Sequence, residues 1–514
     1  MAADRTSAVT PSDLVGCRFR YPQRRAHPEI EPLDSDKARR ARLHLARAEV
    51  LALLPVRPAL GDGRRRAFSR IDLDADAEDA DLATLEALAA EPTILTGAVL
   101  TGRDNGTDWR VRMDALIRTG EGTYRPVLVS NHRVARPHET RTTPMIPTHR
   151  LGLGKPVEAG YRLRHHVSDS HRLAMAARAL VRMELADAKG ALIGQDRRRA
   201  FVVDTRALQP ALDDTLAAGW STRPRRLKEC AGCRFWDLCR PLLEEADDIS
   251  LVLPGDRART FRERGIETVG ALIDARLGEP SALAAAWRAG VPVLRRTEHV
   301  MGPRADVEID VDMEAYLDQG AYLWGAFDGE DYHGFVTWSE VGGAAEAENF
   351  AKFWDWLMQR RAQAHRAHQS FAAYCYSAHG ENHWLRASAR RFAGRYKGVP
   401  SLAEVEEFIA SDEWVDVFSW VRRQLVGTAG IGLKVVAPQA GYHWSDDDVD
   451  GEESVNARRI AVAGGAEGER ARAELLRYNA DDTRATARVR HWLREGAQNV
   501  PVLSVPGSAG PAGR

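Results

Sequence analysis

The sequence predicts an α/β protein of two folded domains joined by a helical bridge. Three observations carry that expectation. At 514 residues the chain is too long for one ordinary core. Residues 1 to 245 read in the order helix, strand, strand, helix, strand. Residues 307 to 327 alternate acidic and apolar side chains at strand period, then open a second run of strands and helices. The expected layout is a first domain at 1–245, a helical linker at 246–300, a second domain at 301–497 and a disordered tail at 498–514.

Composition narrows the class. Apolar content of 44% and charged content of 28% are those of a globular protein. A net charge of −1 gives no bulk pull toward nucleic acid or membrane, so such contacts need local patches. No apolar run reaches the roughly 18 residues of a membrane span. The N-terminus "MAADRTSAVTPSD" lacks a secretory signal, so a cytoplasmic location is expected. Five cysteines, an odd number, argue against a disulfide framework in a reducing compartment.

In the first domain, "SDKARRARLHLARAEVLALLP" reads as a helix, with Leu43, Ala46, Val50 and Leu53 as its apolar stripe and Pro55 as its stop. A second helix covers roughly 79 to 90. "TDWRVRMDALIRT" and "TYRPVLVSNHRVA" read as two strands around "GEG". Residues 135 to 166 show no period and read as a loop or insertion. "SDSHRLAMAARALVRMELADA" is helical, with strands near "ALIG" and "RAFVVDT". The domain ends in "CAGCRFWDLCRP". Cys230, Cys233 and Cys239 are close enough in sequence to grip one metal centre, and Cys17 is the other cysteine of this half. Zinc accepts four thiolates, and so does an iron–sulfur cluster; spacing leaves both open.

One distant N-terminal cysteine plus C-x2-C-x5-C around an α/β segment resembles the iron–sulfur RecB-type nucleases of the PD-(D/E)xK class. That resemblance implies a [4Fe–4S] cluster on Cys17, Cys230, Cys233 and Cys239. It also implies DNA or RNA as ligand, with a helicase as partner. His44 matches the family's helix histidine and Asp114 its strand aspartate. The third motif falls on "VSNHRVA", without acid or lysine, and His171 stands where a glutamine belongs. Metal-dependent hydrolysis needs carboxylates for Mg²⁺ and a lysine beside the water. The expectation is a degenerate nuclease fold that binds nucleic acid without cutting it.

In the bridge, "ISLVLPGDRARTFRERGIETVGALIDA" reads as short helices around Leu253-Pro254-Gly255 and Gly265-Ile266-Glu267-Thr268. It resembles a helix-hairpin-helix, whose backbone N–H groups meet phosphates; a plain helical linker is the other reading.

The second domain opens on Glu308, Asp310, Asp312 and Glu314, which share one strand face, with Val307, Ile309, Val311 and Met313 on the other. Like charges along a face repel, so that face needs full solvation or neutralising cations. Asp318, Gln319 and Gly320 turn the chain into a partner strand, Ala321 to Phe327, and "YHGFVTW" adds a third. "AAEAENFAKFWDWLMQRRAQAH" is amphipathic, with Phe350, Phe353, Trp354 and Leu357 at helical spacing. "SFAAYCYSA" is a strand running into a helix start that bears Glu381. "SLAEVEEFIASDEW" and "VDVFSWVRRQLV" read as helices with Asp416 at their junction. "GYHWSDDDVDGEES" reads as a solvated loop without EF-hand spacing. The last long helix carries Tyr478 and Asp482 one turn apart.

This order resembles an RNase H-like fold, and its motifs resemble the DEDDy exonucleases. "DME" matches D-x-E as Asp312 and Glu314, and "YNADD" matches Y-x3-D as Tyr478 and Asp482. Glu381 stands where an aspartate is usual, and Asp416 matches a further acid of the family that supports the site from behind. The resemblance implies that Asp312, Glu314, Glu381 and Asp482 hold two ions, Mg²⁺ or Mn²⁺, with Tyr478 orienting water. The expected activity is hydrolysis of phosphodiester bonds from a 3′ end, in DNA repair or recombination. The alternative is a catalytically degenerate accessory protein that binds nucleic acid.

Overall fold

The computed structural model describes residues 8–56, 68–120, 122–317, 319–445 and 451–503. The chain divides into two compact units, Met1–Ala246 and Asp247–Arg514.

The first unit is an eight-stranded mixed sheet between helices. Its helices are α1 (Arg20–Ala26), α2 (Asp34–Leu53), α3 (Ala80–Ala89), α4 (Val167–Arg182), α5 (Gln209–Ala217) and α6 (Trp236–Glu245). Its first strands are β1 (Arg70–Asp72), β2 (Ile94–Thr96), β3 (Val99–Asp104), β4 (Thr107–Arg112), β5 (Ala115–Arg118) and β6 (Tyr124–Val129). Then come β7 (Ala135–Pro137), β8 (Thr143–Pro147), β9 (Val157–Ala159), β10 (Tyr161–Leu163), β11 (Lys189–Ile193) and β12 (Arg199–Asp204). The sheet order is β1-β2-β5-β6-β11-β12-β8-β9, with β6 and β11 parallel across the middle. The apolar face of α4 (Leu173, Ala176, Leu180) packs with Leu116, Leu128 and Leu192. On the other face Ala46 and Val50 of α2 meet Ile117, Val129 and Ile193. Alternate strand residues thus feed opposite cores.

Two expectations fail here. The segment 135–166 is not a loop: it forms four strands, because β8 finds its partner in the distant β12. "TDWRVRMDALIRT" is not one strand. It breaks at Met113-Asp114 into β4, which pairs with β3 in a separate hairpin, and β5, which enters the large sheet.

The second unit begins with the short helices α7 (Arg259–Arg262), α8 (Val269–Asp274) and α9 (Glu279–Arg288). Thr268 caps α8, accepting from the Ala271 N–H at 3.0 Å. Strand β13 (Val293–Arg295) follows, then β14 (Val307–Tyr316), β15 (Gly320–Phe327) and β16 (Tyr332–Val336). The long helix α10 (Ala344–Arg366) leads to β17 (Phe371–Cys375), α11 (His379–Phe392), α12 (Leu402–Ala410) and β18 (Trp414–Asp416). The chain closes through α13 (Val417–Gln424), β19 (Leu425–Gly427), α14 (Leu433–Val436), α15 (Gly451–Ala463) and α16 (Gly465–Arg494). The main sheet runs β16-β15-β14-β17-β18: an antiparallel meander, then two parallel strands.

The apolar parity of β14 (Ile309, Val311) packs on Phe350, Phe353, Trp354 and Leu357 of α10, with Trp324 stacked on Phe353 at 4.8 Å. The acidic parity faces α16. Three further readings need correction. "VDVFSWVRRQLV" yields a strand end, a helix and β19, which pairs with β13. The loop read over 441–454 gives way to helix at Gly451; residues 446–450 and the turn residue Asp318 lie outside the described residues. Of the tail read at 498–514, Val502 bridges to Arg295, with Leu503 N–H donating to the Arg295 carbonyl at 2.7 Å, and 504–514 lie outside the described residues. No helix among the described residues is long and apolar enough to cross a membrane.

Candidate active site

The acidic face of β14 splits into two halves with different charge partners. Glu308 and Asp310 are neutralised by arginines of α16. Arg490, 2% exposed, reaches Asp310 Oδ2 at 2.7 Å and Oδ1 at 3.1 Å, and pairs with Glu308 Oε2 at 2.5 Å. Arg494 donates to Glu308 Oε2 at 3.0 Å, and the Tyr374 hydroxyl to Oε1 at 3.1 Å. Burial alone would raise the Glu308 carboxyl, but Arg494 and Arg490 outweigh it and hold it down at about 2. The Arg490 guanidinium also lies 4.0 Å over the Tyr374 ring.

Two residues further along, no arginine among the described residues takes up the charge. Carboxylate oxygens of Asp312, Glu314 and Asp482 lie within 4.8 Å of one another. A β-bulge follows Glu314, where a change of register re-aims the strand. Burial and the neighbouring carboxylates Asp482, Glu314 and Glu381 push Asp312 well up. Burial, then Asp482, raise Glu314 to about 8. Asp482 rises to about 6 through burial, opposed by Trp444, Lys434 and Tyr478. Such a pocket is unfavourable as anions alone. It suits a hard divalent cation, because every donor is a carboxylate oxygen.

Glu381 sits in the first turn of α11, 5% exposed, with Oε2 buried and without a hydrogen-bond partner. Burial raises it to about 8. It stands outside the tight carboxylate trio but contributes to the charge felt by Asp312 and Glu314. Asp416 does not join the cluster. It caps α13, accepting from the Phe418 and Ser377 N–H groups, each at 3.0 Å. It thereby pins Ser377, whose φ of 73° is unusual for a non-glycine residue, just before the helix that carries Glu381.

Helix α16 decides between the adjacent aspartates. Asp481 turns aside to accept from the Tyr442 hydroxyl at 2.7 Å and the Ser445 N–H at 2.9 Å. Asp482 faces the site, held by the Trp444 indole N–H at 2.7 Å and by the Tyr478 hydroxyl. Burial beside Asp482, Glu314 and Asp312 raises Tyr478, so its phenol stays protonated. Ser454 of α15 bonds Glu314. Sequence reasoning missed Asn479, fully buried, whose Nδ2 donates to Asp312 Oδ2 at 2.7 Å, and Tyr332, whose hydroxyl bonds Asn479 Oδ1 at 2.7 Å. A buried asparagine inside "YNADD" was the available signal, but nothing local named its partner.

In the first unit Asp114 is occupied by arginines. Arg47 Nε reaches Asp114 Oδ1 at 2.5 Å, Arg172 Nη2 lies 3.8 Å from Oδ2, and the Val129 N–H donates to Oδ2 at 2.7 Å. The α2 residue at Asp114 is therefore Arg47; His44 is exposed on the same helix. His171 is buried, its Nε2 3.5 Å from Thr215 Oγ1.

Cys17, Cys230, Cys233 and Cys239 line one cavity with Phe19, Phe235 and Trp236. Burial, then the three other sulfurs, push the Cys239 thiol up to about 12. The sulfurs do not form a set within 4.8 Å of one another, the spacing met among the described residues by the carboxylate trio. Cys375 is buried in β17, away from this group in sequence and unit.

Residues 310–494 match the family model described as RNase H superfamily, a span running from β14 to α16. No curated protein sequence matches the chain. A solved structure titled "Crystal structure of SSO0001" is 15% identical, covering 47% of this chain and 90% of its own, at a TM-score of 0.22. The second unit thus carries a domain of the RNase H superfamily over residues 310–494, with its acidic cluster built from the first strand and the last helix of the matched span.

Proposed function

We propose that the second unit is a metal-dependent nuclease that hydrolyses phosphodiester bonds of DNA from a 3′ end, in repair or recombination. One observation carries the reading. On a single strand, Glu308 and Asp310 have arginine partners, whereas Asp312 and Glu314 meet Asp482 with no arginine paired to them among the described residues. Asp312, Glu314 and Asp482 would hold divalent ions, with Glu381 completing the set. Bound there, divalent ions would supply water activation and leaving-group stabilisation. Tyr478, whose hydroxyl bonds Asp482, would orient the attacking water, in a general-base or positioning role. Asp416 and Ser377 keep the Glu381 helix start in place.

The first unit is read as a nucleic-acid-binding fold of the PD-(D/E)xK type that does not cut. Arg47 and Arg172 supply at Asp114 the positive charge that a metal would bring. Its four cysteines are read as ligands of a [4Fe–4S] cluster. The C-x2-C-x5-C run and the distant Cys17 line one cavity together, which supports that reading.

The test is cleavage of a 5′-labelled, 3′-tailed DNA with Mn²⁺ or Mg²⁺. A ladder shortening from the 3′ end is expected, and Asp312→Ala should remove it. Equal cutting by Asp312→Ala refutes the site. Retained DNA binding without cleavage under any divalent ion would make the protein an accessory factor.

A further inference from the structure

We propose that Asn479 and Tyr332 form a positioning relay that sets the Asp312 carboxylate for metal binding, in a slot cleared by Gly325 and Gly334. The inference rests on the metal-site reading above.

Asn479 is fully buried on α16. Its Nδ2 donates to Asp312 Oδ2 and its Oδ1 bonds the Tyr332 hydroxyl, both at 2.7 Å. The direction of the relay follows from chemistry. In its metal-binding, ionised form Asp312 only accepts, which fits the amide nitrogen facing it. The amide oxygen then faces Tyr332, whose hydroxyl must donate. Both donors are neutral, so Asp312 is held without being neutralised, unlike Asp310 under Arg490.

The sheet is cut to make room. Asp312, Gly325 and Gly334 sit side by side on β14, β15 and β16. Neither glycine has a positive φ, so backbone conformation does not demand them. Space does. A Cβ on Gly325 would lie 1.7 Å from Asn479 Oδ1 and 2.9 Å from the Tyr332 ring. A Cβ on Gly334 would lie 3.0 Å from the Tyr332 ring and 3.2 Å from its hydroxyl. Two adjacent strands thus give up a side chain at the same level, and the relay fills the gap. A purely structural asparagine would not require its contact to end on a metal-facing carboxylate.

The test is Mn²⁺ affinity, read by titration of the full-length protein, alongside kcat and KM on a labelled DNA. Asn479→Ala should weaken Mn²⁺ binding about 10- to 100-fold, as loss of a group that orients a ligand does. Its kcat at limiting Mn²⁺ should fall, with KM for DNA unchanged. Tyr332→Phe removes one hydroxyl and keeps the ring, so it carries the test if Asn479→Ala misfolds. It should shift Mn²⁺ affinity in the same direction. Because the two act in series, the double variant should be no weaker than Asn479→Ala alone. Wild-type Mn²⁺ affinity in folded Asn479→Ala, or in Tyr332→Phe, overturns the relay. So do losses that multiply in the double variant. Asp312→Ala separates the two failures. If it loses Mn²⁺ while the relay variants do not, the relay alone falls; if it binds Mn²⁺ as wild type, the metal site falls.

Discussion

Arg490 is the residue on which the local electrostatics turn. It is almost fully buried, pairs with Asp310 and shares Glu308 with Arg494. Removing one partner of such a buried pair costs about 3–5 kcal/mol, because the other charge stays behind. Arg490→Ala should therefore lower stability by that amount, measured as the denaturant midpoint of the second unit. Glu381 is the opposite case, a buried acid with an unsatisfied oxygen. Glu381→Gln should raise the metal-free melting temperature, by about 2–4 °C for each kcal/mol relieved in a unit of this size. The same change should reduce metal-dependent turnover. Identity at these positions was legible in part. The D-x-E pair and the Y-x3-D helix could be read from spacing. The choice of Asp482 over Asp481 could not, since it depends on Tyr442 and Ser445 drawing Asp481 away.

Among elements, β14 makes its prediction through pH. Glu314 and Glu381 are raised to about 8 and Asp482 to about 6, largely by burial. A carboxyl raised in the folded state binds more protons than its unfolded counterpart between its ordinary value, about 4, and its folded value. Stability must then fall as pH rises through that window. The metal-free protein should melt at a higher temperature at pH 5.5 than at pH 8, and added Mn²⁺ should raise the melting temperature more at pH 8. A flat profile in scanning calorimetry would contradict the buried cluster. Gly325→Ala tests the neighbouring strand. The added methyl collides with Asn479, and overpacking of this kind costs about 1–3 kcal/mol. Most elements of the second unit were legible because α10 and β14 have strong, distinct periods. The region 135–166 was not, because its strands are short, Pro- and Thr-rich, and paired with residues far along the chain.

For the whole molecule, two units with separate cores mean that the two proposed metal dependences should be separable. Cys239→Ser should abolish iron retention and the brown colour of anaerobic protein, and destabilise the first unit. Mn²⁺ affinity at Asp312 should be unchanged. Coupled loss of both would show that one unit's fold depends on the other. The division near residue 246 was visible from the order of elements and from the cysteine run that closes the first unit. The pairing of Asp114 with two arginines was not, because Arg47 and Arg172 lie on helices 125 residues apart and look like ordinary surface charges.

The split along β14 has a consequence for how the protein lives with its surroundings. Half of that strand carries its counter-charge in the gene; the other half must borrow it from solution. Any ion bound there adds RT ln(1 + [L]/Kd) to the fold, about 2.7 kcal/mol at a hundredfold excess over Kd. If the proposed site binds, free divalent cation would set how firmly the central sheet holds together as well as the proposed activity, and a chelator should soften the molecule as well as silence it.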